Sequence, residues 1–135
     1  MKDDLMKIAH ICTIAGSHTI LLDKLSHLKD KGYSIDIISS KVGYKKEFAD
    51  KYDINIKFLE MKRNINLIED LKSIINLYKL IKKENYKIVH THTAKAGMIG
   101  RIAAKLALTP LVIHTSHGLP FYEEQSKIKY NTYKI

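Results

Sequence analysis

The chain has 135 residues, 45% of them hydrophobic and 27% charged, and carries a formal net charge of +9. That length fits one domain with its own core, and no apolar run approaches the roughly 20 residues needed to span a bilayer. The charge admits nucleic acid, an anionic membrane surface or a phosphorylated ligand as partner. Base readout and phosphate forks lean on arginine, and the chain has only Arg63 and Arg101, so nucleic acid is not expected.

The start, Met-Lys-Asp-Asp-Leu, has two acids and no apolar h-region, so no signal peptide is expected. The single Cys12 has no disulfide partner, which suits a reducing cytoplasm. Residues 7–14, KIAHICTI, form a continuous apolar run that predicts a buried first strand. It breaks at Gly16-Ser17, a strand-to-helix junction where small residues let the backbone approach a ligand; an ordinary tight turn explains the same pair. A helix is predicted from Thr19, with Ile20, Leu21, Leu25 and Leu28 at helical spacing and Gly32 as its stop.

Residues 34–40, SIDIISS, alternate and predict a second strand. A charged loop containing Gly43 and a short helix near residues 45–51 follow, then a third strand over residues 57–60. With parallel strands, Lys62-Arg63 would sit at the ligand edge as phosphate-binding cations, or be plain surface charges. Asn66 followed by Glu69 resembles a capping box and predicts a long helix to about Glu84. Its stripe Ile68, Leu71, Ile75 and Tyr78, with Leu67, Ile74 and Ile81 beside it, makes a wide apolar face expected to pack on the sheet; with Lys72, Lys79, Lys82 and Lys83 it also fits a membrane-surface helix.

Residues 88–118 then read strand, helix, strand. Ile88-Val89 runs into His90-Thr91-His92-Thr93, a small-residue helix covers about residues 95–108, and Leu111-Val112-Ile113 runs into His114-Thr115-Ser116-His117-Gly118. Such a βαβ unit has parallel strands and a right-handed crossover, so both strands end at one sheet edge, where open α/β sheets bind ligands. Gly97 and Gly100 inside the helix imply close approach to the sheet, or a ligand at the first turn. His90 and His92 alternate onto one face, with His90 expected deeper, while His92 and His117 at the strand ends are the better chemical candidates. A metal site is not expected, since no carboxylate lies nearby in sequence to complete a shell. After Phe121-Tyr122 a further helical pattern, with Ile128, Tyr130 and Tyr133, runs to the last residue without a stop signal and reads as cut in mid-run.

The run IVHTHTAKAGMIGRIAAKLA, followed by PLVIHTSHGLPFYE, resembles the N-terminal domain of group 1 (family 4) glycosyltransferases, and the opening KIAHICTIAGS fits the same pattern. The resemblance implies an α/β, Rossmann-like parallel sheet with helices on both faces, the N-terminal, acceptor-side half of a GT-B architecture. Residues 1–135 would be that single domain, truncated before the C-terminal domain that holds the donor nucleotide with a Glu-x7-Glu pattern, and inactive alone. It implies a retaining, metal-independent transferase needing no cofactor. The donor would be a nucleotide sugar, UDP-linked in the simplest case, and the acceptor a lipid-linked glycan of cell-surface polysaccharide synthesis. Gly16 and Ser17 would approach the donor diphosphate, and His117 would touch the donor sugar as the catalytic residue. His92, Thr93, Lys95 and Gly97, with Lys62 and Arg63, would face the acceptor. The implied location is the cytoplasm, peripheral at the inner face of the membrane. A UDP-sugar 2-epimerase half-domain, or a non-catalytic module acting with a partner chain, shares this architecture.

Overall fold

The computed structural model describes residues 6–16 and 21–116. Five strands alternate with four helices: β1 (Lys7–Ile14), α1 (Leu22–Asp30), β2 (Ser34–Ser40), α2 (Lys46–Tyr52), β3 (Asn55–Phe58), α3 (Leu67–Glu84), β4 (Ile88–Thr91), α4 (Ala94–Leu106) and β5 (Leu111–His114). All strand pairs are parallel, in the order β3-β2-β1-β4-β5. The chain winds outward from β1 to β3, then crosses back to β4 on the other side of β1. The carboxyl ends of β1 and β4 therefore flank the topological switch point, where such sheets open a crevice.

Alternation along β1 explains the two-sided core. Ala9 and Ile11 face one way, with Ile38 and Val89, beneath Leu77 and Ile81 of α3 and Ala96, Ile99, Ala103 and Ala104 of α4. Ile8 and Cys12 face the other way, with Ile35 and Ile37, against Leu21 and Leu25. Each Ile, Leu or Val among them contributes about 1.5–3 kcal/mol when fully buried.

The ends of β1 fall where the continuous apolar run placed them, and those of β2 where the alternation did. β3 begins two residues before the expected strand: Asp53 takes a left-handed backbone (φ 49°) that closes α2. Asn55 then pairs with Asp36, its side-chain amide donating to the Asp36 carboxylate at 3.0 Å. The α3 start is as expected, with the Asn66 side chain accepting from the Glu69 N–H at 3.1 Å. The reciprocal bond is made one residue later, by Asp70.

The packing face of α3 takes one side of the wide expected face: Ile81 is buried and Ile74 and Tyr78 pack against the core. Asp70, Ser73, Leu77 and Ile81 are buried, whereas Ile68, Leu71 and Ile75 are exposed. The helix carries two apolar stripes, and polar anchors select between them. Asp70 is drawn in by Lys95, and Ser73 donates to the Glu60 carbonyl at 2.9 Å. That rotation turns Ile68, Leu71 and Ile75 outward.

Candidate functional site

Two polar layers lie at the carboxyl ends of β1 and β4, one on each side of the sheet. On the α1 side, His10 of β1 pairs in register with His90 of β4, and His92 follows where its N–H donates to the Ile11 carbonyl at 3.0 Å. The His90 and His92 rings stack at 4.1 Å, and His10 lies 5.0 and 5.1 Å from them. His10 Nδ1 and His92 Nε2 share a hydrogen bond at 2.8 Å, and His90 Nε2 meets the Thr115 hydroxyl at 2.6 Å. Burial, reinforced by the neighbouring His90, pulls the His10 pKa down to about 3. His10 is therefore neutral near pH 7, and its Nε2 has no hydrogen-bond partner among the described residues.

The nitrogens of His10, His90 and His92 all lie within 4.8 Å of one another. That spacing alone would admit a cation. The ring planes, however, are inclined by only 20°, 26° and 39°. Imidazole donates its lone pair in the ring plane, so near-parallel stacked rings do not aim three lone pairs at one point. The arrangement fits a hydrogen-bonded stack better than a chelate.

On the α4 side the layer is built of hydroxyls. Thr13 and Thr93 share a hydrogen bond at 2.6 Å, and the Thr13 N–H donates to Thr93 Oγ1 at 3.2 Å. The Ser40 hydroxyl donates to the Thr13 carbonyl at 2.8 Å, tying β2 to the same point. Thr91 Oγ1 and His114 Nδ1 are 2.8 Å apart. The glycines of α4 make room for this layer. A Cβ on Gly97 would lie 2.6 Å from the His114 ring, and one on Gly100 would lie 2.5 Å from Thr91 Cγ2. Close approach to β4 and β5 is thus sufficient reason for both glycines.

Lys95 is fixed just below the start of α4. Its ammonium lies 2.5 Å from Asp70 of α3 and donates to the Asn64 carbonyl at 2.8 Å, with only 8% of its side chain exposed. A buried pair of this kind is held by mutual need, since removing either charge strands the other. It clamps the β3–α3 loop, which carries Lys62 and Arg63, against the first turn of α4.

The Gly16 N–H donates to the Val42 carbonyl at 3.1 Å, so the loop after β1 leans on the loop after β2. Gly43 makes this possible: its φ is +77°, and a Cβ there would lie 2.9 Å from the Gly16 nitrogen. A Cβ on Gly16 itself would meet nothing closer than 3.9 Å.

Of the residues assigned to a site from sequence, His92, Thr93, Lys95 and Gly97 cluster at the β4–α4 junction, while Gly16 lies at the end of β1. His92 is the most buried of its pair, the reverse of the expected order, because it tucks against His10 while His90 turns toward Thr115. Lys62 and Arg63 are exposed, as a phosphate-binding role requires. Ser17, His117 and the helical pattern after Phe121 lie outside the described residues. Sequence reasoning assigned no chemical role to His10, Gly43 or Asp70. Each acts through a partner distant in the chain, and only the β1-centred strand order reveals the pairing.

The all-parallel sheet and its strand order define a Rossmann-like domain of the kind found in GT-B enzymes. A family model described as glycosyl transferase 4-like matches residues 7–135, and the chain belongs to that family. It is 39% identical over 132 residues to an Escherichia coli UDP-Gal:alpha-D-GlcNAc-diphosphoundecaprenol alpha-1,3-galactosyltransferase, covering 96% of this chain and 34% of that protein. It is 37% identical over 114 residues to the capsular polysaccharide biosynthesis glycosyltransferase CapM of Staphylococcus aureus, covering 84% of this chain and 29% of that protein. The chain thus spans about a third of the length of these curated relatives. Among solved structures, a glycosyltransferase from Rickettsia africae superposes with a TM-score of 0.69 at 27% identity, over 96% of this chain and 34% of that one. Anabaena Alr3699/HepE in complex with UDP and glucose superposes at 0.68 and 20% identity, over 95% and 34%, a likeness of fold alone.

Proposed function

We propose that this chain forms the acceptor-side half of a retaining glycosyltransferase, which moves a sugar from a nucleotide sugar to a lipid-linked glycan in cell-surface polysaccharide synthesis. The observation that carries the reading is the 39% identity to a transferase named for a diphosphoundecaprenol-linked acceptor, spread over 96% of the chain. The structure adds a chemically suitable edge: imidazoles and hydroxyls hydrogen-bonded at the switch point, and two exposed cations on the adjoining loop. In the reaction an acceptor oxygen bonds to the anomeric carbon, the bond to the donor phosphate oxygen breaks, and the nucleoside diphosphate leaves.

In this reading Lys62 and Arg63 meet the acceptor diphosphate. His92, Thr93, Lys95 and Gly97 act by shaping the junction, because their polar groups bond within the protein or their space is filled. Gly16 and Ser17 border the donor diphosphate, and His117 meets the donor sugar. A further domain of the same protein holds the nucleotide, so the 135 residues alone turn nothing over. In this reading the reaction takes place on the cytoplasmic side of the membrane.

The test is to incubate the full-length protein with a panel of UDP-sugars and an undecaprenyl-diphosphate-linked acceptor, and to analyse the lipid products. A new glycolipid with stoichiometric release of UDP is expected. Release of UDP with a free epimerised sugar, or no reaction with any donor, would overturn the proposal.

A further inference from the structure

Lys62 and Arg63 stand exposed between fixed points on either side. Before them, Met61 is buried in the core, and the Glu60 carbonyl accepts from the Ser73 hydroxyl at 2.9 Å. After them, the Asn64 carbonyl accepts from the Lys95 ammonium at 2.8 Å, and the Asn66 N–H donates to Asp70 Oδ2 at 3.4 Å. Lys95 and Asp70 pair at 2.5 Å, their side chains only 8% and 9% exposed. The connection from β3 to α3 is thereby tied to both α3 and α4 around its cations.

Solvated surface charges need no such bracing. Stability does not account for it either, because a buried ion pair is often no more stabilising than apolar side chains of the same volume. What a buried pair does fix is position, since each charge must lie where the other is. Asp70 belongs to α3 and Lys95 to α4, and each also holds a backbone group of the connection. The spacing of the two helices and the course of the loop are therefore set together.

We infer that Asp70 and Lys95 are positioning residues that hold Lys62 and Arg63 in place for the acceptor diphosphate. The nature of the anion rests on the proposed function; the bracing does not. A loop that is already ordered loses little freedom when its ligand arrives, so affinity rises without any new contact. The pair is neutral as a unit and sets no net charge against an incoming phosphate. Glu69, 4.0 Å from Lys62 and shared with Lys72, is the acid that a diphosphate would displace.

The experiment uses the full-length protein and farnesyl diphosphate, a water-soluble prenyl diphosphate, with binding read by calorimetry. Trypsin cleavage after Lys62 and Arg63, followed by mass spectrometry, reports the loop itself. Two neutral pairs are made: Asp70→Leu with Lys95→Met, and Asp70→Asn with Lys95→Gln, which keeps a donor and an acceptor where the first keeps none. In the apolar pair, circular dichroism is expected to match the parent, while Kd and cleavage at these two sites each rise at least about tenfold. The amide pair should fall between the apolar pair and the parent. In a chain already carrying Lys62→Gln and Arg63→Gln, the apolar pair should weaken binding no further. Absence of binding by the parent overturns the assignment, as does parent-like binding in the apolar pair. So does weakened binding without faster cleavage, or a further loss in the chain lacking both cations. If the apolar pair does not fold, the amide pair decides alone, and parent-like binding and cleavage there refute it. Sugar transfer is assayed in parallel. Diphosphate binding that depends on the pair, without any transfer, would refute the enzymatic reading and leave the positioning role standing. Transfer by a parent whose binding ignores the pair would do the reverse.

Discussion

His10 is a base that folding keeps uncharged. Its ring is buried at the centre of the sheet against His90 and His92, and its pKa drops from the ordinary 6.5 to about 3. In the unfolded chain the same ring takes up a proton as pH falls through 6.5. Between pH 6.5 and 3 the unfolded state therefore binds one more proton than the folded state, and stability falls as pH is lowered. The contribution is complete above pH 6.5 and shrinks by about 1.4 kcal/mol for each unit below roughly pH 6. Urea unfolding between pH 4 and 7 should show this slope. His10→Gln, which cannot titrate there, should flatten it by about one proton even though it lowers overall stability. A slope unchanged by that substitution would assign the proton uptake to other groups. His90 and His92 were visible in the sequence as an alternating pair at a strand end. Their partner His10 was not, because it stands 80 and more residues earlier and meets them only through strand pairing.

At the scale of elements, α3 shows where periodicity stops being informative. Its boundaries were legible, since Asn66 caps the start and Asn85, in the left-handed region at φ 55°, closes the end. Its packing face was not, because stripes a few residues apart are both apolar and a 3.6-residue period supports either. The choice is made by Asp70 and Ser73, polar residues that a hydrophobicity argument assigns to solvent. Their partners, Lys95 and the Glu60 carbonyl, come from other elements. The two faces should therefore answer differently to truncation. Leu77→Ala, in the core beneath α3, is expected to cost about 2–5 kcal/mol, while Ile68→Ala on the outer face should stay within about 0.5 kcal/mol. Equal losses in chemical denaturation would mean that the outer stripe is packed after all.

For the molecule as a whole, the βαβ unit around α4 was enough to fix parallel strands and a ligand edge, while the strand order came only with the structure. What that order adds is convergence. Thr13, Ser40 and the pair Thr91 and Thr93 come from three segments and meet within one hydrogen-bonded layer. Gly16 and Gly43, each unremarkable in its own loop, meet because β1 and β2 are neighbours. A strand break marks where a loop begins, yet it carries no information about which other loop lies beside it. The candidate site was thus half legible: the residues of one unit were named, and the residues that brace them from across the sheet were not.

The contact between Gly100 and Thr91 has a consequence for how this sequence is free to drift. The interface between α4 and β4 has room for one methyl group, and at present the strand supplies it. Gly100→Ala alone should cost about 1–3 kcal/mol through overpacking. Paired with Thr91→Ser, which deletes the opposing methyl and keeps the hydroxyl beside His114, the same change should recover most of that loss. The helix would then also gain up to about 1 kcal/mol in propensity. The double substitution moves the methyl from strand to helix without altering the total volume. A shift in urea midpoint for the pair that merely equals the sum of the single shifts would show that the two positions are free to change independently.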